Sequence, residues 1–151
     1  MQPHKGLLYL SCHSNIQKLL FTFATTMTDV YEMDETTKMK WYKIVFALKK
    51  DFGKKPDMNG FLFLIGMREL GQTREFSKDE KMDLMHIATC ALLTLEGYYE
   101  LENYDNEGWP HYKLLKELPH ADLLQQETFL RKLIVKYFEI NDLLEEDEAL
   151  K

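Results

Sequence analysis

Three residues of one predicted helix are of the types that bind metal ions. Asp83 and His86 are three positions apart and Cys90 follows His86 by four, so a helix places all three on one face. Di-iron helical bundles use a carboxylate and a histidine at this spacing, and imidazole with thiolate suits zinc. The only other pair so spaced, Glu117 and His120, is interrupted by Pro119. Metal binding by a helical-bundle protein or enzyme through Asp83, His86 and Cys90 is therefore the alternative hypothesis.

A second set of residues is typical of recognition rather than of catalysis. Aromatic and imidazole rings concentrate around the tetrapeptide Gly108-Trp109-Pro110-His111, and the candidate binding residues are Tyr99, Tyr104, Trp109, His111 and Tyr112. Tryptophan is enriched where a partner's pocket excludes water, so Trp109 is a candidate anchor for a partner. The other interpretation is that Trp109 folds back onto the protein and pins its own loop, because a tryptophan buries a large area.

Lysines concentrate in one predicted helix. Within residues 38–55 only Asp51 opposes the lysines, which are Lys38, Lys40, Lys43, Lys49, Lys50, Lys54 and Lys55. One interpretation is a solvated helix face, since exposed ion pairs contribute only about 0–1 kcal/mol each. The other is a basic docking face for an acidic partner or a second subunit.

Motifs for the common enzyme classes are absent from the sequence. It contains no Gly-x-Ser-x-Gly elbow, no phosphate-binding loop and no Gly-x-Gly-x-x-Gly pattern. Recognition residues without a catalytic set predict a non-enzymatic protein-interaction or scaffold domain. Its expected partner is another protein or a second copy in a homodimer, and we expect no cofactor.

Composition narrows the class of partner further. The net charge of −6 argues against nucleic acid, whose phosphates require a basic surface. No apolar run approaches the 18 or more residues that cross a bilayer, so we expect no membrane span. The two cysteines, Cys12 and Cys90, are far apart in the sequence, which favours a reduced compartment and a cytoplasmic protein.

The periodicity of apolar residues predicts an all-α fold. Trp41, Ile44, Val45, Leu48 and Phe52 mark one face of a helix that stops at Gly53. Further helices are predicted over 58–70, although Phe61 to Ile65 also suits a buried strand, and over 82–95 behind a Ser77-x-x-Glu80 capping box. A short helical turn at 114–118 and a long helix from Leu123 to Phe138 complete the pattern. We expect a compact bundle of five to six helices with an ordered aromatic and acidic loop at about 103–112.

The N-terminal residues differ from the rest of the chain. No acidic residue precedes Asp29, and no sustained helical pattern begins before about Ile16. Residues 1–30 are therefore predicted to be a poorly defined extension, and 31–151 a single helical domain. Two explanations of the extension are a lipoprotein signal ending at Cys12, for which the apolar stretch is short, and a translation start at Met27 or Met33.

Overall fold

The computed structural model describes residues 32–144. Within this range the chain forms four helices and one two-stranded antiparallel sheet: α1 (Glu35–Phe52), α2 (Met58–Leu70), α3 (Lys78–Thr94), β1 (Tyr99–Tyr104), β2 (Pro110–Leu114) and α4 (Leu123–Ile140). The predictions about residues 1–30, including those about Cys12 and Met27, lie outside the described residues. No helix within 32–144 has the length and apolar content to span a bilayer.

Each of the four helices begins at a residue whose side chain accepts a backbone hydrogen bond. Asp34, Asp57 and Ser77 cap α1, α2 and α3, and the predicted capping box of Ser77 and Glu80 is confirmed. A second capping box, formed by Asp122 and Gln125, begins α4. Such caps satisfy N–H groups that have no partner inside the helix.

The segment Phe61 to Ile65 is helical, not extended, and α2 ends at Gly71, whose φ is +70°. Its apolar residues point in several directions because α2 is covered on more than one side. The Phe61 ring lies 4.8 Å from the ring of Trp41 in α1, whereas Phe63 meets the edge of Phe76, with 6.3 Å between the ring centroids. A helix covered on several sides has no polar face to reveal its period.

The all-α prediction is wrong, because residues 99–104 and 110–114 pair as an antiparallel hairpin. Half of the predicted loop at 103–112 is strand, and the turn between the strands covers Asp105 to Trp109. The helical turn expected at 114–118 does not form, whereas α3 ends at Thr94, next to the predicted end at Leu95. Within the described residues the fold therefore has four helices, not five or six, together with a small sheet.

Side-chain alternation explains the hairpin. Tyr99 pairs with Leu114, Leu101 with Tyr112 and Tyr104 with Pro110, so these apolar residues share one face. The paired polar residues share the opposite face; they are Glu100 with Lys113 and Asn103 with His111. A register shift at Glu102 keeps Tyr104 on the apolar face despite its odd spacing from Leu101.

Helix α3 is the centre of the described fold, since it contacts α2, both strands and α4. One core cluster joins the helices through residues such as Ile44, Ile65, Leu92 and Ile134. A second, smaller cluster consists of Leu70, Phe76 and Leu84. The sheet packs over α3 and so carries the predicted aromatic site.

Candidate protein-interaction surface

The three metal-type residues of α3 are only partly brought together. The Cys90 Sγ lies 3.7 Å from the His86 Nε2, whereas Asp83 and His86 are exposed and Cys90 is buried. Burial raises the pKa of the Cys90 thiol, which keeps it protonated at neutral pH, whereas a nucleophile or metal ligand must be a thiolate. Among residues 32–144 no three His, Cys, Asp or Glu side chains converge as a metal-ligand set.

Trp109 packs against its own protein. It is half-buried and contacts the small cluster formed by Leu70, Phe76 and Leu84. Its backbone is fixed as well, because the Trp109 N–H donates to the Asp105 carboxylate at 2.9 Å and the Trp109 carbonyl accepts from the Asp105 N–H at 3.0 Å. Of the two interpretations of Trp109, this geometry matches the one in which the ring pins the turn.

The other four residues of the aromatic set share the hairpin but not one face. Tyr99, Tyr104 and Tyr112 lie on the apolar face, and His111 lies on the polar face. Tyr99 and Tyr112 are half-buried, while Tyr104 is 57% exposed. Burial, and secondarily the charge of Glu69, raises the pKa of the Tyr112 hydroxyl above its usual range, so Tyr112 stays neutral. The hairpin therefore presents Tyr104 and His111 on opposite sides.

The Asp105 carboxylate is committed to the structure of the turn. It accepts backbone hydrogen bonds from Glu107 and Trp109 and pairs with the His111 Nε2 at 3.0 Å. The His111 side chain is the main reason that the pKa of Asp105 is lowered, and the Trp109 N–H is the next. Asp105 and His111 thus hold the turn that carries Trp109.

Helix α1 carries a stripe of exposed apolar residues. Trp41 and Ile44 face the core, whereas Met39, Tyr42 and Phe46 are 58%, 63% and 72% exposed. Their i, i+3, i+7 spacing places them in one line on the side of the helix opposite Trp41. Helix α1 is therefore apolar on two opposite sides, and only one of these is packed in the described fold.

Lysines border this stripe. At 100° per residue, Lys43 and Lys50 fall along one side of it and Lys49 along the other, and all three are exposed. In the same segment, Lys38 pairs with Glu35 at 2.7 Å, and Lys40 pairs with Glu139 of α4. We call Met39, Tyr42, Phe46 and the bordering Lys43, Lys49 and Lys50 the outer face of α1.

Sequence reasoning found the lysines of this surface but missed its apolar stripe. The signal was present as a second i, i+3, i+7 series, Met39, Tyr42 and Phe46, interleaved with the series that begins at Trp41. A search for one amphipathic face assigns the stronger series to the core and leaves the weaker one unexplained.

The chain matches no protein-family model, no curated protein and no solved structure. Function must therefore be argued from the surface itself.

Proposed function

We propose that this chain is a non-enzymatic protein-interaction domain that binds an acidic partner protein through the outer face of α1. The observation that carries the proposal is the exposure of Met39, Tyr42 and Phe46 in one line between lysines. An apolar centre with a charged border is the usual anatomy of a specific interface. The basic border selects a partner whose own border is acidic.

Charge also disfavours the simplest way in which two copies could meet. If two α1 helices of two copies packed face to face and parallel to each other, Lys43, Lys49 and Lys50 of each would meet the same lysines of the other. Like charges brought together at an interface cost several kcal/mol, so the outer face of α1 is a poor match for itself in this orientation.

The apolar stripe supplies enough area for measurable binding. Full burial of a large apolar side chain is worth about 1.5–3 kcal/mol, and these three retain more than half of their surface in solvent. Attraction by the lysines adds to this gain and the entropy of association reduces it, so we expect a weak, reversible complex with a single docked helix.

The test is a titration of the full chain with a designed amphipathic helical peptide that has a leucine stripe bordered by glutamates. A peptide with lysines in place of the glutamates is the matched control. We expect the acidic peptide alone to bind, with an affinity that falls as salt is raised. The Tyr42→Ser/Phe46→Ser variant should bind at least about tenfold more weakly while melting at an unchanged temperature, since exposed substitutions alter stability by only about 0.5 kcal/mol.

Two results would overturn the proposal. One is equal binding of the acidic and basic peptides, and the other is binding that the Tyr42→Ser/Phe46→Ser variant retains. Association of the chain with anionic lipid vesicles, but not with the acidic peptide, would assign the same face to a membrane surface instead.

A further inference from the structure

The outer face of α1 is bounded by opposite charges at its two ends. Glu35, the first residue of the helix, falls within about 15° of the apolar stripe at 100° per residue, and its side chain is 87% exposed. Lys49 and Lys50 flank the same stripe in the last turn of the helix. A carboxylate therefore lies at one end of the three apolar side chains and two lysines lie at the other.

The difference in charge continues beyond both ends of the helix. Residues 32–38 carry three carboxylates and one lysine, whereas residues 49–55 carry four lysines and one carboxylate. The lysine of the first group, Lys38, pairs with Glu35, but the Glu35 side chain keeps most of its surface in solvent, so a second cation can reach it. Two such helices attract each other when they lie antiparallel and repel each other when they lie parallel.

The apolar stripe fits the same antiparallel arrangement. Met39 precedes the midpoint between residues 42 and 43 by as many positions as Phe46 follows it. Glu35 and Lys50 are placed symmetrically about the same midpoint. In an antiparallel pair centred there, Met39 of each copy faces Phe46 of the other, and Glu35 of each faces Lys50 of the other. One two-fold axis thus creates two identical apolar contacts and two identical ion pairs.

We infer that the occupant of the outer face of α1 is a second copy of this chain, whose own α1 lies antiparallel to the first. This inference rests on the proposed function and names the partner of the same site. The acidic border that the lysines select is then the Glu35 end of the other helix. A contact made by one helix of each copy is small beside the roughly 1,200–2,000 Å² that stable interfaces bury, so we expect the dimer to form reversibly.

Charge reversal at positions 35 and 50 tests the inference. In Glu35→Lys the substituted position repels Lys50 of the second copy, and in Lys50→Glu it repels Glu35. A mixture of these two variants restores opposite charges at both contacts, and the double variant Glu35→Lys/Lys50→Glu restores them by itself. Asp79→Lys is the matched control, because it makes a charge change of the same size in the first turn of α3.

Sedimentation equilibrium of the full chain supplies the readout. We expect the unaltered chain and Asp79→Lys to associate equally and each single reversal to associate at least about tenfold more weakly. The equimolar mixture and the double variant should recover association. Circular dichroism melts of each variant, at a dilution where all are monomeric, check that the fold is intact, and recovery in the mixture could not come from misfolded chains.

Failure of this inference is separable from failure of the proposed function. Glu35→Lys makes the outer face of α1 more basic, so it should bind the acidic peptide no less tightly while it loses self-association. A chain that stays monomeric at all concentrations but binds the acidic peptide overturns self-docking alone, and a chain that does neither overturns both. Association that both single reversals retain, or that neither the mixture nor the double variant recovers, overturns the antiparallel pairing.

Discussion

At Gly66 the backbone of α2 lies directly against the backbone of α3. This close approach is possible because glycine has a hydrogen atom where other residues have a Cβ. A Cβ built at this position of α2 would lie 2.7 Å from the Leu84 carbonyl carbon of α3 and closer still to its oxygen. Real Cβ atoms do not approach backbone atoms so closely. The contact is with main chain, which cannot rotate away as a side chain does.

We therefore expect Gly66→Ala to destabilise the protein by about 2 kcal/mol or more, despite the helix propensity that alanine adds. Urea unfolding followed by circular dichroism measures the loss. Gly60→Ala in the same helix is the comparison, because its nearest neighbours are the side-chain atoms Asp57 Oδ1 and Pro56 Cβ, each at 3.2 Å. Equal stability of the two variants would contradict the close approach of α2 and α3.

Glu80 makes stability depend on pH. The Arg74 guanidinium, then the Ser77 N–H, lower the pKa of this carboxyl from 4.5 to about 2. A carboxyl whose pKa is depressed on folding contributes stability above its unfolded pKa and loses it as pH falls toward its folded pKa. This contribution is thus complete above about pH 4.5 and is lost between pH 4.5 and 2.

In Glu80→Gln that contribution is absent at every pH. We expect the variant to melt below the unaltered protein at neutral pH and the gap to narrow as pH falls from 4.5 toward 2. Thermal melts at intervals across this range measure the gap. If the melting temperatures of the variant and the unaltered protein differed by the same amount at every pH, Glu80 would not be paired in the folded state.

Among the secondary-structure elements, the hairpin was missed because the sequence was searched for helical periodicity. Tyr99, Leu101, Tyr112 and Leu114 alternate with charged residues at a period of two, the pattern of a half-covered sheet. Two features concealed it: the extra residue at Glu102 breaks the alternation, and the turn from Asp105 to Trp109 is longer than the two-residue turns that signal hairpins most strongly. The helix starts, in contrast, follow from local chemistry at Asp57 and Ser77 and were predictable.

The hairpin turn gives a prediction at the same scale. Asp105→Ala removes the acceptor for two backbone N–H groups and the partner of His111. The turn should therefore become more mobile, and Trp109 should lose its contact with the cluster of Leu70, Phe76 and Leu84. Asp105→Asn keeps an acceptor oxygen and should preserve more of the structure. Amide hydrogen exchange of residues 104–112 measures the loosening, and equal protection in both variants would contradict the role of Asp105.

For the molecule as a whole, the sequence predicted the helices and the basic segment, but it did not predict which side chains are exposed on the surface. Which side of α1 is packed depends on Phe61 and on α4, which lie far away in the sequence, so the exposure of Tyr42 and Phe46 is a property of the tertiary structure. The same holds for Trp109, whose neighbours Leu70 and Leu84 belong to two other helices. Residue types alone identified the lysines of α1 and the aromatic set around Trp109, but the tertiary structure decides which of these side chains are packed and which are exposed.

The paired variants Trp109→Ala and Phe46→Ser test this separation most directly. For each, unfolding free energy and binding of the glutamate-bordered peptide are measured on the same preparation. We expect Trp109→Ala to lose about 2–4 kcal/mol of stability and keep its affinity, because its ring fills the cluster under the turn. Phe46→Ser should keep its stability and lose affinity. The reverse result would contradict the proposed function: Trp109→Ala would keep its stability but no longer bind the peptide, and Phe46→Ser would still bind it.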